Sequence, residues 1–418
     1  MMSKKCKYFS VLFLLFLASC SSFVPLERND YVSSDSALLA YLHGENISVT
    51  KKNDIEFLNG GKEKFPRLFE DISNAKHHIH LEYFNFRNDS LNSILISLLA
   101  QKASEGVEVR ALFDAFGNMS NNRPLKKKHL DDIRSKGIEI VKFDPMSFPW
   151  IDYAFARDHR KIVVIDGKVG YTGGINVADY YVDGLEGIGK WRDMHARVVG
   201  ESVARLQDIF LAMWNRETKQ QIAGDVYYPA VCGNVGNVDI AVVDRWPGKN
   251  PKQMRRVYAN AINAAKDSIQ IINPYFVPTP IIRKALKKAI ADGVKVEIMI
   301  SAKADIPFTP EASYHVGNKL AKLGADIYLY DGGFNHSKIM SIDGKFCTVG
   351  STNLNSRSLF YDYEDNLFVF DKEQTARLLD HYYADKRESY LLTREVWKKR
   401  SCWKKFCGWF ANLLTPFI

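Results

Sequence analysis

One sequence pattern occurs twice in the chain, and this repeat decides the fold. Residues 158–176 read DHRKIVVIDGKVGYTGGIN, and residues 335–353 read NHSKIMSIDGKFCTVGSTN. In each copy a lysine follows the histidine by two positions, an aspartate by seven, a glycine by fourteen and an asparagine by seventeen. A single His-x-Lys triplet carries little information, but two copies with the same internal distances are very unlikely to arise by chance.

The segments around the two motifs also repeat in the same order. Residues 74–86 resemble residues 264–276, and Gly106 and Gly293 each separate a predicted helix from a predicted strand. The Asp-Gly pairs inside the motifs, flanked by β-branched residues, are typical of hairpin turns. Because helices alternate with strands in both halves, we predict an α/β fold of two tandem α/β/α domains related by internal duplication.

The N-terminus is typical of an exported protein. Basic residues precede an apolar run over residues 8–18 that is too short to span a bilayer, which predicts a signal peptide over residues 1–19. Cys20 follows small residues, as the acylated cysteine of a bacterial lipoprotein does, so we expect an exported lipoprotein of the cell envelope. The alternative is an uncleaved N-terminal anchor in which Cys20 is incidental.

The remaining chain divides into a linker over residues 20–52, domains over residues 53–224 and 225–392, and a basic tail over residues 393–418. The 418 residues include 57 Lys and Arg against 48 Asp and Glu, a formal net charge of +9. Most of this excess lies in the signal peptide and the tail, which leaves the body nearly neutral. This distribution argues against nucleic acid as a partner and favours a membrane surface.

The tail has the pattern of an amphipathic helix over residues 396–414. The residues that recur at the spacing of one apolar helix face are Trp403, Phe406, Cys407, Phe410, Leu413 and Leu414. Basic residues precede this stripe and tryptophans accompany it, so we predict a helix that lies on an anionic membrane surface. The alternative is that the stripe packs against the body of the protein.

The duplicated motif carries groups suited to phosphoryl transfer. A histidine and a lysine two positions apart on a strand point to the same face, and the glycine and asparagine behind the hairpin return beside it. With two such faces around one phosphate, one imidazole can attack phosphorus to form a phosphohistidine, while the other protonates the leaving alkoxide. Asp193 and Glu364 are candidates to orient the imidazoles and fix their tautomers.

The candidate site therefore contains catalytic and supporting residues. The catalytic candidates are His159, Lys161, Asp166, His336, Lys338 and Asp343. The phosphate-binding and supporting candidates are Asn176, Asn353, Asp193, Glu364, Ser351 and Gly174. The lysines and asparagines would stabilise charge on the phosphate oxygens. No metal or other cofactor is expected, because the pattern does not include the carboxylate cluster of a two-metal site.

With these motifs the chain resembles the phospholipase D superfamily, which is marked by two His-x-Lys-x4-Asp motifs with Gly-Gly or Gly-Ser and Asn behind them. The resemblance extends over about residues 53–392 and is closer to the bacterial cardiolipin synthases, supported by residues 79–83, 191–193, 273–278 and 350–358. It implies two domains placed face to face with one active site at their interface. It also implies His159 as the nucleophile and His336 as the general acid. The expected reaction moves a phosphatidyl group onto phosphatidylglycerol, with phospholipids as partners.

Several features depart from this family, and other functions stay open. Many cardiolipin synthases begin with two transmembrane helices, Asn335 replaces a residue that is often apolar, and Asp362 replaces a usual Asn. Within the superfamily the alternatives are a phospholipase D that uses water and a transferase with another donor or head group. A nuclease is disfavoured by the nearly neutral body. A non-enzymatic lipid-binding protein would need degenerate histidines, whereas both are intact. The sequence assigns no oligomeric state.

Overall fold

The computed structural model describes residues 23–144, 156–233, 235–303, 305 and 309–413. Each half of the chain contains a sheet in which seven strands follow the same spatial order. In each half three strands run parallel, and the others join by antiparallel pairing. The duplicated α/β fold predicted from the sequence is therefore confirmed. The signal peptide and Cys20 lie outside the described residues.

The strands, numbered along the chain, build two large sheets and one short strand pair. They are β1 (Val49–Thr50), β2 (Asn53–Asn59), β3 (His78–Tyr83), β4 (Glu108–Asp114), β5 (Glu139–Phe143), β6 (Lys161–Ile165), β7 (Val169–Gly173), β8 (Trp191–Arg192), β9 (Met194–Gly200), β10 (Asp239–Arg245), β11 (Ser268–Ile272), β12 (Lys295–Ser301), β13 (Asp326–Tyr330), β14 (Phe334–Asn335), β15 (Ile339–Ile342), β16 (Phe346–Gly350), β17 (Glu364–Phe370) and β18 (Ser389–Leu391). The first sheet has the order β2-β9-β7-β6-β3-β4-β5. The second has the order β1-β10-β17-β16-β15-β11-β12-β13-β18, which repeats the first between two added edge strands.

The helices cover both faces of the sheets. They are α1 (Ser34–Gly44), α2 (Gly61–Asn74), α3 (Ser90–Ser104), α4 (Ala115–Ser120), α5 (Lys127–Ser135), α6 (Tyr180–Asp183), α7 (Ser202–Thr218), α8 (Gln253–Ala264), α9 (Pro280–Ala291), α10 (Thr309–Ala321), α11 (Ser356–Phe360), α12 (Lys372–Arg387), α13 (Arg394–Lys399) and α14 (Cys402–Leu413). Helices α2, α3 and α5 pack on the outer face of the first sheet, and α8, α9 and α10 pack on the outer face of the second. A third apolar core joins the inner faces of the two sheets, together with α7 and α12.

The central strands are apolar on both sides because both of their faces are covered. Every residue of β6 is buried, and so is every residue of its counterpart β15. Burial on both faces explains why these motif strands read as continuous rather than alternating apolar runs. The inner-face core, which includes Val164 and Ile339, brings the two sheets together. It thereby places the ends of β6 and β15 close to each other.

Part of the predicted linker folds onto the second domain. Strand β1 pairs with β10, and Leu38 and Leu42 of α1 are fully buried in the core that contains α8. The two leucines lie one helical turn apart, so they form a single buried stripe. Residues 34–50 therefore extend the second domain, although they precede the first in sequence.

The tail forms two helices rather than the single helix predicted over residues 396–414. Helix α13 ends at Lys399, because Arg400 has an extended backbone, and α14 begins at Cys402. Arg400 forms an ion pair with Glu311, and its guanidinium lies 3.8 Å from the centre of the Tyr314 ring. These contacts stabilise Arg400 at the break between the two helices. Leu414 lies outside the described residues.

Candidate active site

A cleft of about 680 Å³ lies between the two halves and contains both motif histidines. The polar side chains that line it include His159, His336, Asn176, Asn353, Asp305, Arg87, Arg357 and Ser358. Its aromatic lining consists of Phe84, Phe116, Tyr180, Tyr181, Trp191 and Tyr275. The two copies of the motif therefore build one site rather than two. The wall joins groups suited to a phosphate with apolar rings suited to a lipid.

The backbone of each half holds the histidine of the other. The His159 N–H donates to the Tyr363 carbonyl oxygen at 3.0 Å, and the His336 N–H donates to the Arg192 carbonyl oxygen at 2.6 Å. Strands β8 and β14 pair across the two halves and extend the second of these contacts. Each histidine consequently sits beside the segment that carries a carboxylate from the opposite half.

These carboxylates are Glu364 and Asp193, and they are exchanged between the halves. The His159 Nδ1 lies 3.0 Å from Glu364 Oε1, and the His336 Nδ1 lies 2.7 Å from Asp193 Oδ2. Both carboxylate side chains are fully buried. A carboxylate beside Nδ1 holds the proton on that nitrogen and leaves the Nε2 lone pair free for chemistry.

Burial disfavours the charged form of both imidazoles. It lowers the pKa of His336 to about 4, with a further lowering from Lys338 that Asp193 opposes. Burial, together with Lys161 and Lys338, also holds the pKa of His159 well below its usual value. A neutral imidazole is the form required of a nucleophile. A bound phosphate anion would favour the charged form and raise these pKa values.

The two motif lysines form a paired positive centre beneath the histidines. Each ammonium donates to the carbonyl oxygen of the histidine two positions before it, Lys161 to His159 and Lys338 to His336. Burial lowers the pKa of Lys161 to about 8 and that of Lys338 to about 7, while Glu364 and Asp193 act in the opposite direction on both. The same low-polarity surroundings strengthen the attraction of the lysines for a phosphate anion.

The residue after the motif glycine is Gly174 in the first half and Ser351 in the second. Each of them lies against one of the two buried carboxylates. The Ser351 hydroxyl donates to Glu364 Oε2. Gly174 stands at the equivalent position, where an added Cβ would lie 2.1 Å from Asp193 Oδ1. Burial raises the pKa of Glu364 to about 7, although Lys161 and the Ser351 hydroxyl oppose this rise. Ser351 thus supports one carboxylate, and Gly174 leaves room for the other.

The two motif asparagines line the cleft with different partners. The Asn176 side-chain oxygen accepts from the Asn85 N–H at 3.2 Å, and its amide donates to the Tyr181 hydroxyl at 3.0 Å. The Asn353 side-chain oxygen is buried without a hydrogen-bond partner among the residues that the structure describes. Asn176 is consequently fixed by the first half, whereas Asn353 has free hydrogen-bonding capacity.

The motif aspartates do not belong to the cleft, which corrects their assignment as catalytic candidates. Asp166 and Asp343 lie in the hairpin turns at the far ends of β6 and β15, with φ values of 53° and 54°. The Asp166 carboxylate accepts from the backbone N–H groups of residues 76–78, and Asp343 accepts from those of residues 266–268. Aspartate tolerates this left-handed backbone and satisfies three donors at once. The equal distance from histidine to aspartate in the two halves therefore reflects the structural role of these aspartates in the turns.

We expect Asp166→Asn to lower stability while activity per folded molecule stays near the wild-type value. The amide keeps the left-handed turn accessible but loses the charge and one acceptor oxygen, so we expect a loss of about 1–3 kcal/mol. The free energy of unfolding in urea and kcat on the same preparation measure the two effects, and Asp343→Asn is the matched change in the second half. A large loss of kcat in a fully folded Asp166→Asn protein would return this aspartate to the catalytic set.

Sequence reasoning gave no role in the site to several residues that line the cleft. Arg357 donates to Asp362 and lies over the Phe116 ring, and Asp305 accepts from the Tyr275 hydroxyl. Neither Arg357 nor Asp305 belongs to the residues matched between the two halves, so the self-comparison gave no signal for them. Among the described residues, no group of three or more His, Cys, Asp and Glu side chains is arranged to hold a metal ion.

Comparisons with known proteins agree with this geometry. The sequence profile described as "Cardiolipin synthase, PLD-like domain" matches residues 68–214 and 258–385. The cardiolipin synthase of Oceanobacillus iheyensis is 36% identical over 401 residues, which cover 94% of this chain and 82% of that protein. The chain belongs to the cardiolipin synthase family. It is accordingly a phospholipase D-type phosphatidyltransferase, as the resemblance to this family implied.

Other members of the cardiolipin synthase family and one solved structure extend the comparison. The cardiolipin synthase of Staphylococcus aureus is 37% identical over 380 residues, which cover 90% of this chain and 76% of that protein. The crystal structure of phosphatidylserine synthase from Haemophilus influenzae covers 92% of this chain and all of its own, with a TM-score of 0.72 and 14% identity. The latter likeness concerns the fold. No helix in the part of the chain that the structure describes is long and apolar enough to cross a bilayer.

Proposed function

We propose that this cardiolipin synthase family member transfers a phosphatidyl group through a phosphohistidine at His159 to the hydroxyl of phosphatidylglycerol. The observation that supports the proposal is the crossed pairing of the two histidines with Glu364 and Asp193. This pairing leaves an Nε2 atom from each half for one phosphodiester in the cleft. A nucleophile and a proton donor from opposite halves are what a two-step transfer needs.

In the first step, the Nε2 lone pair of His159 attacks phosphorus and the bond from phosphorus to the leaving head-group oxygen breaks. His336, protonated in the presence of the phosphate anion, gives its Nε2 proton to that oxygen. Asp193 stabilises the imidazolium before the transfer, because it accepts from the opposite nitrogen. Lys161 and Lys338 stabilise the charge that spreads over the other phosphate oxygens.

In the second step, neutral His336 takes the proton of the acceptor hydroxyl as that oxygen attacks phosphorus. The bond from phosphorus to His159 Nε2 then breaks, and both histidines return to their first state. Phosphatidylglycerol suits the acceptor role because its head group ends in free hydroxyls. With phosphatidylglycerol as donor as well, the products are cardiolipin and glycerol.

Two alternatives differ only in donor or acceptor, since water or another alcohol can enter the second step. The decisive experiment incubates the purified protein with phosphatidylglycerol alone and then with added phosphatidylethanolamine, and resolves the lipid products by mass. We expect cardiolipin from phosphatidylglycerol alone. Phosphatidic acid as the sole product would show a hydrolase, and cardiolipin formed only after phosphatidylethanolamine is added would show a different donor.

We expect activity to survive metal chelators. Lys161, Lys338, Asn176 and Asn353 supply the positive charge and the hydrogen bonds that stabilise the phosphate, so the proposed steps need no divalent cation. Turnover of a soluble short-chain phosphatidylglycerol with and without EDTA measures this. Loss of turnover that one specific divalent ion restores would contradict the proposed mechanism.

The proposed setting of the enzyme is a membrane surface of the bacterial cell envelope. Phospholipid substrates and the basic tail support this setting. Removal of residues 1–19 and acylation of Cys20 stay predictions, and the intact mass of the mature protein tests both.

A further inference from the structure

Helix α14 has two distinct faces, only one of which packs on the protein. Cys407, Gly408 and Ala411 are buried against α10, and an added Cβ on Gly408 would lie 2.4 Å from the Glu311 carbonyl oxygen. Small residues therefore allow the two helices to approach closely. Cys407, which the sequence pattern placed on the apolar stripe, belongs to this packed face.

The other face of α14 is an exposed aromatic surface. The exposed fractions are 69% for Trp403, 49% for Phe406, 46% for Trp409, 49% for Phe410 and 55% for Leu413. The Trp403, Phe406 and Phe410 rings lie in a row, with centroids about 6 Å apart. Monomeric proteins seldom expose a continuous row of large apolar side chains without a partner for it.

A basic groove lies beside this aromatic face. It has a volume of about 360 Å³ between α9 and α10, and its charged lining consists of Arg283, Lys284, Lys287 and Lys319. The Arg283 guanidinium reaches Asn412 of α14 at 3.4 Å, which joins the groove to the tail. Among the described residues, no carboxylate lies within ion-pairing distance of these four bases.

Positive charge predominates around the groove and the tail, where Glu311 pairs with Arg400 and Glu395 is an exposed acid. Lys398, Lys399 and Lys404 are exposed on the tail, and burial lowers the pKa of the Arg283 guanidinium. Burial lowers the pKa of His315, which packs beside Gly408, and the positive charges of Lys319 and Lys322 lower it further. A surface on which cations outnumber anions complements an anionic partner.

The number of residues between the cleft lining and helices α9 and α10 limits the distance between this surface and the cleft. Helices α9 and α10 both begin just after segments that line the cleft, at Tyr275 and Asp305 respectively. Helix α14 contacts α10 near its start, at Glu311. Asp305, which lines the cleft, and Glu311, which contacts α14, are six residues apart in the chain, so at most about 20 Å separates them.

We propose that the groove between α9 and α10, together with the aromatic face of α14, is a docking site for an anionic phospholipid bilayer, distinct from the catalytic cleft. The groove takes lipid phosphate groups, and the aromatic side chains enter the headgroup region, where Trp and Phe are favoured. A bilayer is the occupant that matches both features, because it offers a dense anionic surface directly above apolar chains. The proposal rests on the proposed function only in that the substrate is a membrane lipid.

Vesicle binding by the full-length chain tests the docking site. We expect tighter binding to vesicles that contain phosphatidylglycerol than to pure phosphatidylcholine vesicles, with affinity falling as salt rises. The double variant Lys284→Glu/Lys287→Glu should weaken binding at least tenfold. The matched control Lys127→Glu/Lys128→Glu makes the same charge change on exposed lysines of α5 and should bind as the wild type does.

A second variant tests the aromatic face without cutting the chain. Removal of residues 396–418 would expose the apolar core behind Val396, Trp397 and Ala411, so substitution is the sharper change. Phe406→Ser/Phe410→Ser should weaken vesicle binding about tenfold, whereas Tyr31→Ser/Tyr383→Ser removes exposed rings elsewhere and should have little effect.

Turnover of a soluble short-chain phosphatidylglycerol separates this proposal from the proposed function. We expect the groove and aromatic variants to keep this turnover, because neither set lines the cleft. Wild-type binding to both vesicles without preference, or unchanged binding by the groove variant, would overturn the docking site. Absence of soluble turnover in the wild type, with selective vesicle binding intact, would instead overturn the proposed function.

Discussion

Replacing His159 with alanine should lower phosphatidyl transfer by at least about 10³-fold while the protein stays folded. The substitution removes the atom that forms the bond to phosphorus, and general acid–base groups alone account for about 10²–10⁴ of rate. The His159 side chain is only 13% exposed and is held by Glu364, so its loss leaves a cavity in a supported site. His43→Ala, on an exposed histidine at the end of α1, is the matched control.

The His336→Ala variant separates the roles of the two imidazoles. With native lipid it should be about as inactive as His159→Ala, since no group protonates the leaving alkoxide. With a p-nitrophenyl phosphodiester, whose leaving group needs no proton, we expect His336→Ala to accumulate a covalent adduct visible in its intact mass. An adduct on His159→Ala and none on His336→Ala would reverse the two assignments.

Replacing Asp193 with asparagine should reduce kcat by about 10²–10⁴-fold through the histidine of the other half. Asp193 raises the pKa of His336, and an amide cannot stabilise the imidazolium in the same way. An amide that turns its N–H₂ group toward Nδ1 also favours the wrong tautomer. Glu364→Gln is the corresponding change beside His159.

The pH profile distinguishes this effect from simple disruption. His336 must carry a proton in the first step, so activity falls as pH rises through its pKa in the complex. Without Asp193 that pKa is lower, because the charge that favoured protonation is gone. The alkaline limb should therefore move to lower pH in Asp193→Asn and stay in place in the control Asp183→Asn. An unmoved limb with reduced kcat would show that Asp193 acts through folding.

The fold and most of the site followed from the sequence because the repeat preserves local chemistry. Identical spacing of His159 and His336 to their hairpin aspartates indicates equivalent strands and turns in the two halves. The two aspartates were nevertheless placed with the catalytic candidates, since spacing alone does not reveal which end of a strand faces a cleft. Their three backbone partners lie about 75–90 residues away in sequence and become neighbours only in the folded sheet.

The sequence could not predict which carboxylate pairs with which histidine, or which face of the tail helix packs, for a related reason. Asp193 lies in the same half as His159, and only the cross-half pairing of β8 with β14 brings it to His336. In the tail, periodicity identified an apolar stripe but not which residues pack. The close approach at Gly408 made the small residues the packed face, so the aromatic residues stay exposed. Tertiary packing decides both outcomes.

The exchange of carboxylates between the halves also sets the point in synthesis at which His159 can gain its carboxylate partner. Glu364 is 205 residues beyond His159, so a ribosome must have made nearly the whole chain before the first imidazole gains its partner. A nascent chain that has not reached Glu364 therefore lacks the carboxylate beside His159, and under the proposed mechanism we expect it to be inactive toward phospholipid.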